Sequence, residues 1–243
     1  MSDNVHTHTH THTPIHAHHH HENAHGHHGS VAQANREFFD DLDDGFDKIP
    51  FVKERAARVV KAIVKAYPNL DKEKTTAMDF ACGNGHVSIA MLPHVKSILG
   101  VDISERMAAR YNEKLEDSEN ASAVAIELKG EDNELSGARF DIIFCSSAYH
   151  HFESIDEITR ILVSFLKPGG ALLIADMVNK EEGYAIPQDA QEAVPHKHGF
   201  SKGDIRKAFE AGGLTMKVFE DIPSSEDHAD LDLFLAIGEK PSI

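Results

Sequence analysis

The run Asp79-Phe80-Ala81-Cys82-Gly83-Asn84-Gly85-His86 sets two glycines between an apolar stretch and a helical pattern. Glycine permits the tight backbone turn and the close approach needed by a ligand held on main-chain amides, with the next helix's first amides aimed at it. Seventeen residues past Gly85, the segment Gly100-Val101-Asp102-Ile103 ends a second apolar run on a carboxylate. An acid at such a strand tip is placed to take both ribose hydroxyls of an adenosine. The third glycine of a dinucleotide fingerprint is missing, because position 88 is Ser, so no pyrophosphate need fit.

Histidines form the second chemical set. His150 and His151 follow the apolar run 140–145 within Ser146-Ser147-Ala148-Tyr149-His150-His151-Phe152. Imidazole titrates near neutrality, so either can deprotonate a phenol or enol; packing or structural hydrogen bonding accounts for the pair nearly as well. Pro195-His196-Lys197-His198-Gly199-Phe200 carries two more. His196 and His198 stand two residues apart just before the last predicted helix.

These residues need a scaffold, and the chain alternates short apolar runs with helical patterns. Strands are expected over 76–81, 97–101, 123–128, 140–145, 171–177, 214–219 and 231–238. Helices are expected near 86–92, 104–116, 154–167 and 201–212, with Ser104 and Ser201 as N-caps and Asp204 completing a near capping box. Such alternation indicates a doubly wound α/β sheet. Eleven residues without a confident helix separate the last two strands, which favours antiparallel pairing at a sheet edge. Two further helices precede the sheet. One spans 36–48, with Phe38, Phe39, Leu42 and Phe46 inside a strongly acidic surface; the other spans 51–67, stopping before Pro68.

Taken together, Asp79 to Gly85, Gly100 to Asp102, Phe140 to Phe152 and LKPGGALLIA (Leu166 to Ala175) resemble the successive motifs of class I S-adenosylmethionine-dependent methyltransferases over about residues 75–220. The resemblance implies a Rossmann-like α/β fold: a doubly wound, seven-stranded, mostly parallel sheet with an antiparallel last strand. It implies S-adenosyl-L-methionine as methyl donor. Gly83 and Gly85, with Ala81 where the family often has glycine, would meet the methionine portion, and Asp79 its amino group. Asp102 would hold the ribose diol, Ile103 cover the adenine, Glu131 or Asp132 meet the adenine amine, and Cys145 offer its backbone. The strand-four segment is similar to that of small-molecule, quinone-biosynthesis-type methyltransferases, which makes His150, His151 and, before the last helix, His198 candidate catalytic residues. The family's Asp/Asn-Pro-Pro-Tyr/Phe signature for amine methylation is absent. A small-molecule acceptor methylated on O or C is therefore expected. Two alternatives stand beside it: a protein side-chain methyltransferase, and a metal-buffering protein on an inert methyltransferase-like domain.

Composition narrows the field further. Forty Asp and Glu against 24 Lys and Arg leave −16, which argues against nucleic acid or an anionic membrane as partner. No window approaches a membrane span, and two cysteines are too few for a disulfide framework. Without a basic-then-apolar leader, the expected location is cytosolic, with or without the nucleus. Twelve of the 19 His fall within residues 6–28. Residues 1–34 are thus expected to be a disordered His-rich tail and 35–243 the methyltransferase domain, its helices over 35–70 and its core over 75–243. No metal site is expected in the domain, whereas the tail, with His18, His19, His20 and His21 at its densest, can coordinate divalent transition metals loosely. A solubilising tail with incidental metal affinity is the competing reading. Oligomeric state is not legible.

Overall fold

The structure, a computed structural model, describes residues 30–42, 47–48, 51–224 and 231–242. Phe46 and the histidines of the tail, His18 to His21 included, lie outside the described residues.

Six α-helices and seven strands lie among the described residues: α1 (Val31–Asp41), α2 (Val52–Ala66), β1 (Thr76–Phe80), α3 (His86–Met91), β2 (Ser97–Asp102), α4 (Glu105–Lys114), β3 (Ala121–Ala125), β4 (Phe140–Ser146), α5 (Ile155–Ser164), β5 (Leu166–Met177), α6 (Lys202–Ala211), β6 (Thr215–Ile222) and β7 (Leu233–Glu239). The strands form one sheet of order β3-β2-β1-β4-β5-β7-β6. β1 to β5 pair in parallel, and β7 runs antiparallel to both β5 and β6. The expected doubly wound sheet with an antiparallel last strand is found, with β7 inserted between β5 and β6.

Strand residues alternate between two packed faces, as the pleat requires. Met78, Ile143, Cys145, Leu172 and Ile174 face Leu162 of α5 and Ile205 and Phe209 of α6. Ala77, Ile142, Phe144, Leu173 and Ala175 face Val59, Val60 and Ile63 of α2 and Met91 of α3. A sheet buried on both sides explains why β4 and β5 read as continuous apolar runs.

Several boundaries move. α1 begins at Val31, capped by Ser30, whose Oγ accepts from the Gln33 N–H, so residues 31–34 belong to a helix and not to the tail. It ends at Asp41 rather than at 48. β3 covers Ala121–Ala125, earlier than the apolar run suggests, because its pairing with β2 ends at Asp102↔Ala125. β5 starts at Leu166 rather than at 171, and the Lys167-Pro168-Gly169-Gly170 segment is taken up in a register shift against Phe140/Ile142. A bulge is where a strand tolerates Pro and Gly.

Candidate active site

The strand order reverses between β1 and β4, and in open α/β sheets ligands bind outside the carboxyl ends of strands at such a switch point. The residues singled out from sequence cluster at those ends. β1 runs into a loop where Ala81, Gly83 and Gly85 adopt φ of 56°, 51° and 89°. For alanine the left-handed conformation costs about 1–2 kcal/mol, which explains why glycine is common there. A Cβ on Gly85 would approach Tyr111 Cδ2 to 2.9 Å, so the loop must lie flat on that ring.

Asp102 fastens the loop. Its Oδ2 accepts from the Gly83 N–H at 2.8 Å and its Oδ1 from the Ser104 N–H at 2.9 Å. Each carboxylate oxygen keeps a second lone pair, as two ribose hydroxyls require. Burial pushes the Asp102 pKa up despite these donors. Asp79 lies deeper and accepts from Ser88 Oγ at 2.7 Å, so the position that lacks glycine instead holds the acid that orients the loop. Burial, reinforced by the charge of Asp102, raises Asp79 to about 8.

Asn84, between the two loop glycines, is fully buried, and neither its amide nitrogen nor its oxygen has a hydrogen-bond partner. Leaving a buried amide unsatisfied costs on the order of 1–3 kcal/mol. A bound polar group adjoining this loop would relieve that cost. Loop glycines, a ribose-competent acid, a buried acid able to ionise beside a cation and an orphaned amide therefore fit S-adenosylmethionine, which Gly83, Gly85, Asp79 and Asp102 would hold.

Helix α1 is stitched to both halves of the site. Arg36 Nε donates to the Ile103 carbonyl at 3.4 Å and its Nη2 meets Glu127 at 3.2 Å. Asp40 accepts from Ser104 Oγ at 2.6 Å. On the other side, Asn35 Nδ2 donates to the His151 carbonyl at 3.0 Å, and Phe39 packs edge-on against the His151 ring.

The histidines separate clearly. His150 Nδ1 sits 2.8 Å from Oδ1 of Asp176, which is fully buried at the end of β5. Burial pushes Asp176 up, but the charge and hydrogen bond of His150 more than offset it and hold the carboxyl below its ordinary range. An ionised Asp176 makes Nδ1 the donor and leaves Nε2 as the nitrogen that can take a proton. The His151 ring lies tilted against that of His150 with ring centres 4.3 Å apart, and its Nδ1 donates to the Ala193 carbonyl at 2.7 Å. Burial, then the neighbouring His150, lowers His151 to about 3. His198 is not brought to this group: exposed, it donates from Nδ1 to the Lys180 carbonyl at 3.1 Å. His196 lies beside it through the main chain, its backbone N–H donating to the His150 carbonyl at 3.3 Å and its ring packing on Phe200.

The remaining sequence candidates divide. Asp132 is fully exposed and paired with Arg139 at 3.0 Å, and the turn around it is tied by Glu134 accepting from the Lys129, Gly130 and Glu131 N–H groups. Of the two acids, Glu131 is the one not committed to that ion pair. Cys145 is buried in β4 with its thiol pushed well above its ordinary range by burial, which leaves only its backbone for a ligand. Sequence reasoning missed Asp176, Ser88, Asn84 and Asn35 as site residues. Asp176 had a visible signal: a lone acid ending the apolar run Ala171-Leu172-Leu173-Ile174-Ala175.

A β3-β2-β1-β4-β5-β7-β6 sheet with β7 antiparallel, a glycine loop after β1 and a ribose-type acid after β2 define the class I methyltransferase architecture. A family profile described as "Methyltransferase domain" matches residues 78–172. An uncharacterized methyltransferase of Schizosaccharomyces pombe is 34% identical over 155 residues, 59% of this chain and 55% of that protein. A ubiquinone biosynthesis O-methyltransferase of Coxiella burnetii is 28% identical over 110 residues, 44% of this chain and 45% of that protein. The chain thus spans about half the length of these curated relatives. Among solved structures, magnesium protoporphyrin IX methyltransferase from Synechocystis with bound S-adenosylhomocysteine superposes with a TM-score of 0.64 at 18% identity, covering 87% of this chain and all of that one. In fold and in its profile match over residues 78–172, the chain is similar to class I S-adenosylmethionine-dependent methyltransferases.

Proposed function

We propose that this protein transfers the methyl group of S-adenosylmethionine to a small-molecule acceptor, on an oxygen or an activated carbon. The buried Asp176–His150 pair carries the reading: an oriented imidazole stands at the carboxyl ends of β5 and β4, beside the strand that feeds the glycine loop. The bound cofactor supplies an electrophilic methyl on a sulfonium. Everything else falls to the chain. The glycine loop and Asp102 hold the donor, α1 closes over the strand ends and keeps water out, and His150 Nε2 accepts the proton that a phenol or enol must lose as its oxygen or carbon bonds the methyl. Much of the acceleration in such an in-line displacement comes from holding the two partners together in a dry site. An O-methyltransferase among the relatives supports the reading. The chain's charge of −16 and the absence of the amine-type signature support a non-nucleic-acid acceptor. Two free, buried cysteines suit the cytosol, with or without the nucleus, as location.

The test is transfer of radiolabelled methyl from S-adenosylmethionine into fractionated cell extract. Label in the low-molecular-weight fraction, lost with His150→Gln, is the expected result. Label confined to polypeptide or RNA would overturn the acceptor class, and failure to bind S-adenosylhomocysteine would overturn the enzyme.

A further inference from the structure

The chain between β5 and α6 leaves the sheet and returns to it. Its stem is closed by the Val178–Phe200 bridge and by the N–H groups of Lys180 and Tyr184, which donate to the His198 and Lys197 carbonyls at 2.9 and 2.8 Å. Its far part, residues 188–196, lies against the turn Tyr149–His151 that follows β4. There the His196 N–H reaches the His150 carbonyl, and His151 Nδ1 donates to the carbonyl of buried Ala193 at 2.7 Å. From the opposite side His151 is held by α1. Each grip of this helix uses residues four apart, which helical geometry sets on one face. Asn35 donates to the His151 carbonyl at 3.0 Å, and Phe39 sets its ring edge-on to the imidazole with centres 5.3 Å apart. Arg36 and Asp40 take the Ile103 carbonyl and the Ser104 hydroxyl, beside the acid that braces the glycine loop. An unbroken line of contacts therefore runs from Asp102 and Ser104 through α1 to His151 and on to Ala193.

We infer that His151 is a positioning residue that couples the cofactor site to residues 188–196: a cofactor seated against Asp102 steadies α1, α1 steadies His151, and His151 holds that segment closed beside His150. The imidazole suits this task better than proton transfer. Its Nδ1 proton is committed to the Ala193 carbonyl, and its ring touches Phe39 and His150. A ligand shifts a conformational equilibrium only by the difference in its affinity for the two states. S-adenosylmethionine has such a difference here. With α1 in place, Arg36 and Asp40 fix the turn 102–104 and so the direction of the Asp102 oxygens; with α1 displaced, that turn loses both partners. Linkage makes the effect reciprocal, so a closed segment also favours the bound cofactor. The inference rests on the cofactor site and not on the chemical class of the methyl acceptor.

Amide hydrogen–deuterium exchange of the full-length protein, with and without S-adenosylhomocysteine, tests the coupling without an acceptor in hand. In the wild type the ligand should slow exchange over residues 188–196 at least about five-fold, the low end of coupling between sites. His151→Phe keeps a ring beside Phe39 and His150 but offers Ala193 no donor. That variant should lose the slowing over 188–196 and keep it over the glycine loop, residues 81–85. Asn35→Ala breaks the line at α1 and leaves the imidazole intact, so it should lose most of the same slowing. A histidine that served stability alone would behave differently: its loss would speed exchange over 188–196 equally with and without ligand, leaving the ligand's factor unchanged. Either variant keeping the wild-type factor overturns the inference. So does a wild type protected over 81–85 but not over 188–196, with the cofactor site left standing, whereas a wild type that does not bind S-adenosylhomocysteine overturns both.

Discussion

Single residues in the site do two things at once. Asp102 braces the glycine loop through the Gly83 and Ser104 N–H groups and keeps lone pairs for a ribose. Truncation to Ala would confound the two, whereas Asp102→Asn preserves shape and one acceptor. Losing a charge-assisted hydrogen bond costs about 1.5–3 kcal/mol, so Asp102→Asn should weaken S-adenosylhomocysteine about 10- to 100-fold by calorimetry. Unchanged affinity would sink the ribose assignment. Asp176 plays the corresponding part for His150: Asp176→Asn keeps the volume but removes the charge that fixes Nδ1 as the donor. Turnover of the acceptor found in the label screen should fall by roughly 10²- to 10⁴-fold, as for other general bases, with cofactor affinity intact. A variant with near-normal turnover would make the pair merely structural. The loop and the acid that meet at the strand ends were legible because a glycine loop and a strand-end acid are local patterns. Asp176 shows in the sequence only as a lone acid ending an apolar run, since its meaning comes from a partner 26 residues away in sequence. The difference between His198 and His196 has the same origin: sequence sets the two in one loop but does not show which lies beside His150.

At the scale of elements, sheet order and helix count follow from alternating apolar runs, and the structure departs from them mainly at their ends. Ser104 and Ser201 announce α4 and α6 because cap and apolar pattern agree, and Ser201 with Asp204 forms a full capping box. The start of α1 was hidden, although Ser30 with Gln33 three residues on is a cap signal, because it abuts the His-rich composition. That helix matters most for ligand residence, since it bridges Ile103 and Ser104 on one side and His151 on the other. Asn35 is buried and donates to the carbonyls of both Val31 and His151. Asn35→Ala removes the His151 stitch at a cost of about 1 kcal/mol. Bound S-adenosylhomocysteine should then dissociate about five-fold faster in stopped-flow measurements, the rate equivalent of that energy. An unchanged off-rate would show that α1 is not the barrier to release.

For the whole molecule, two buried groups shape stability from opposite sides. Folded Asp79 titrates at about 8 against an ordinary 3.8, so between these values the folded protein keeps a proton that the unfolded chain has lost, and stability falls as pH rises. His151 titrates at about 3 against 6.5, so in that window the unfolded chain holds the extra proton and stability rises with pH. The two slopes oppose each other from 3.8 to 6.5, and above 6.5 only that of Asp79 remains, in the same sense as that of Asp102, whose pKa burial also raises. Carboxylates held low, such as Asp176 and Asp141, give up their contribution only below their ordinary 3.8. The ligand-free protein should therefore lose melting temperature between pH 6.5 and 8, and Asp79→Asn should flatten that decline. A cofactor ammonium beside Asp79 would draw its proton off, so S-adenosylhomocysteine should also flatten it, and binding at pH 7 should release a proton seen as a buffer-dependent calorimetric enthalpy. If Asp79→Asn melts with the same pH slope as the wild type, the raised acid is not the source. If the enthalpy does not depend on the buffer, Asp79 is already ionised before the cofactor arrives.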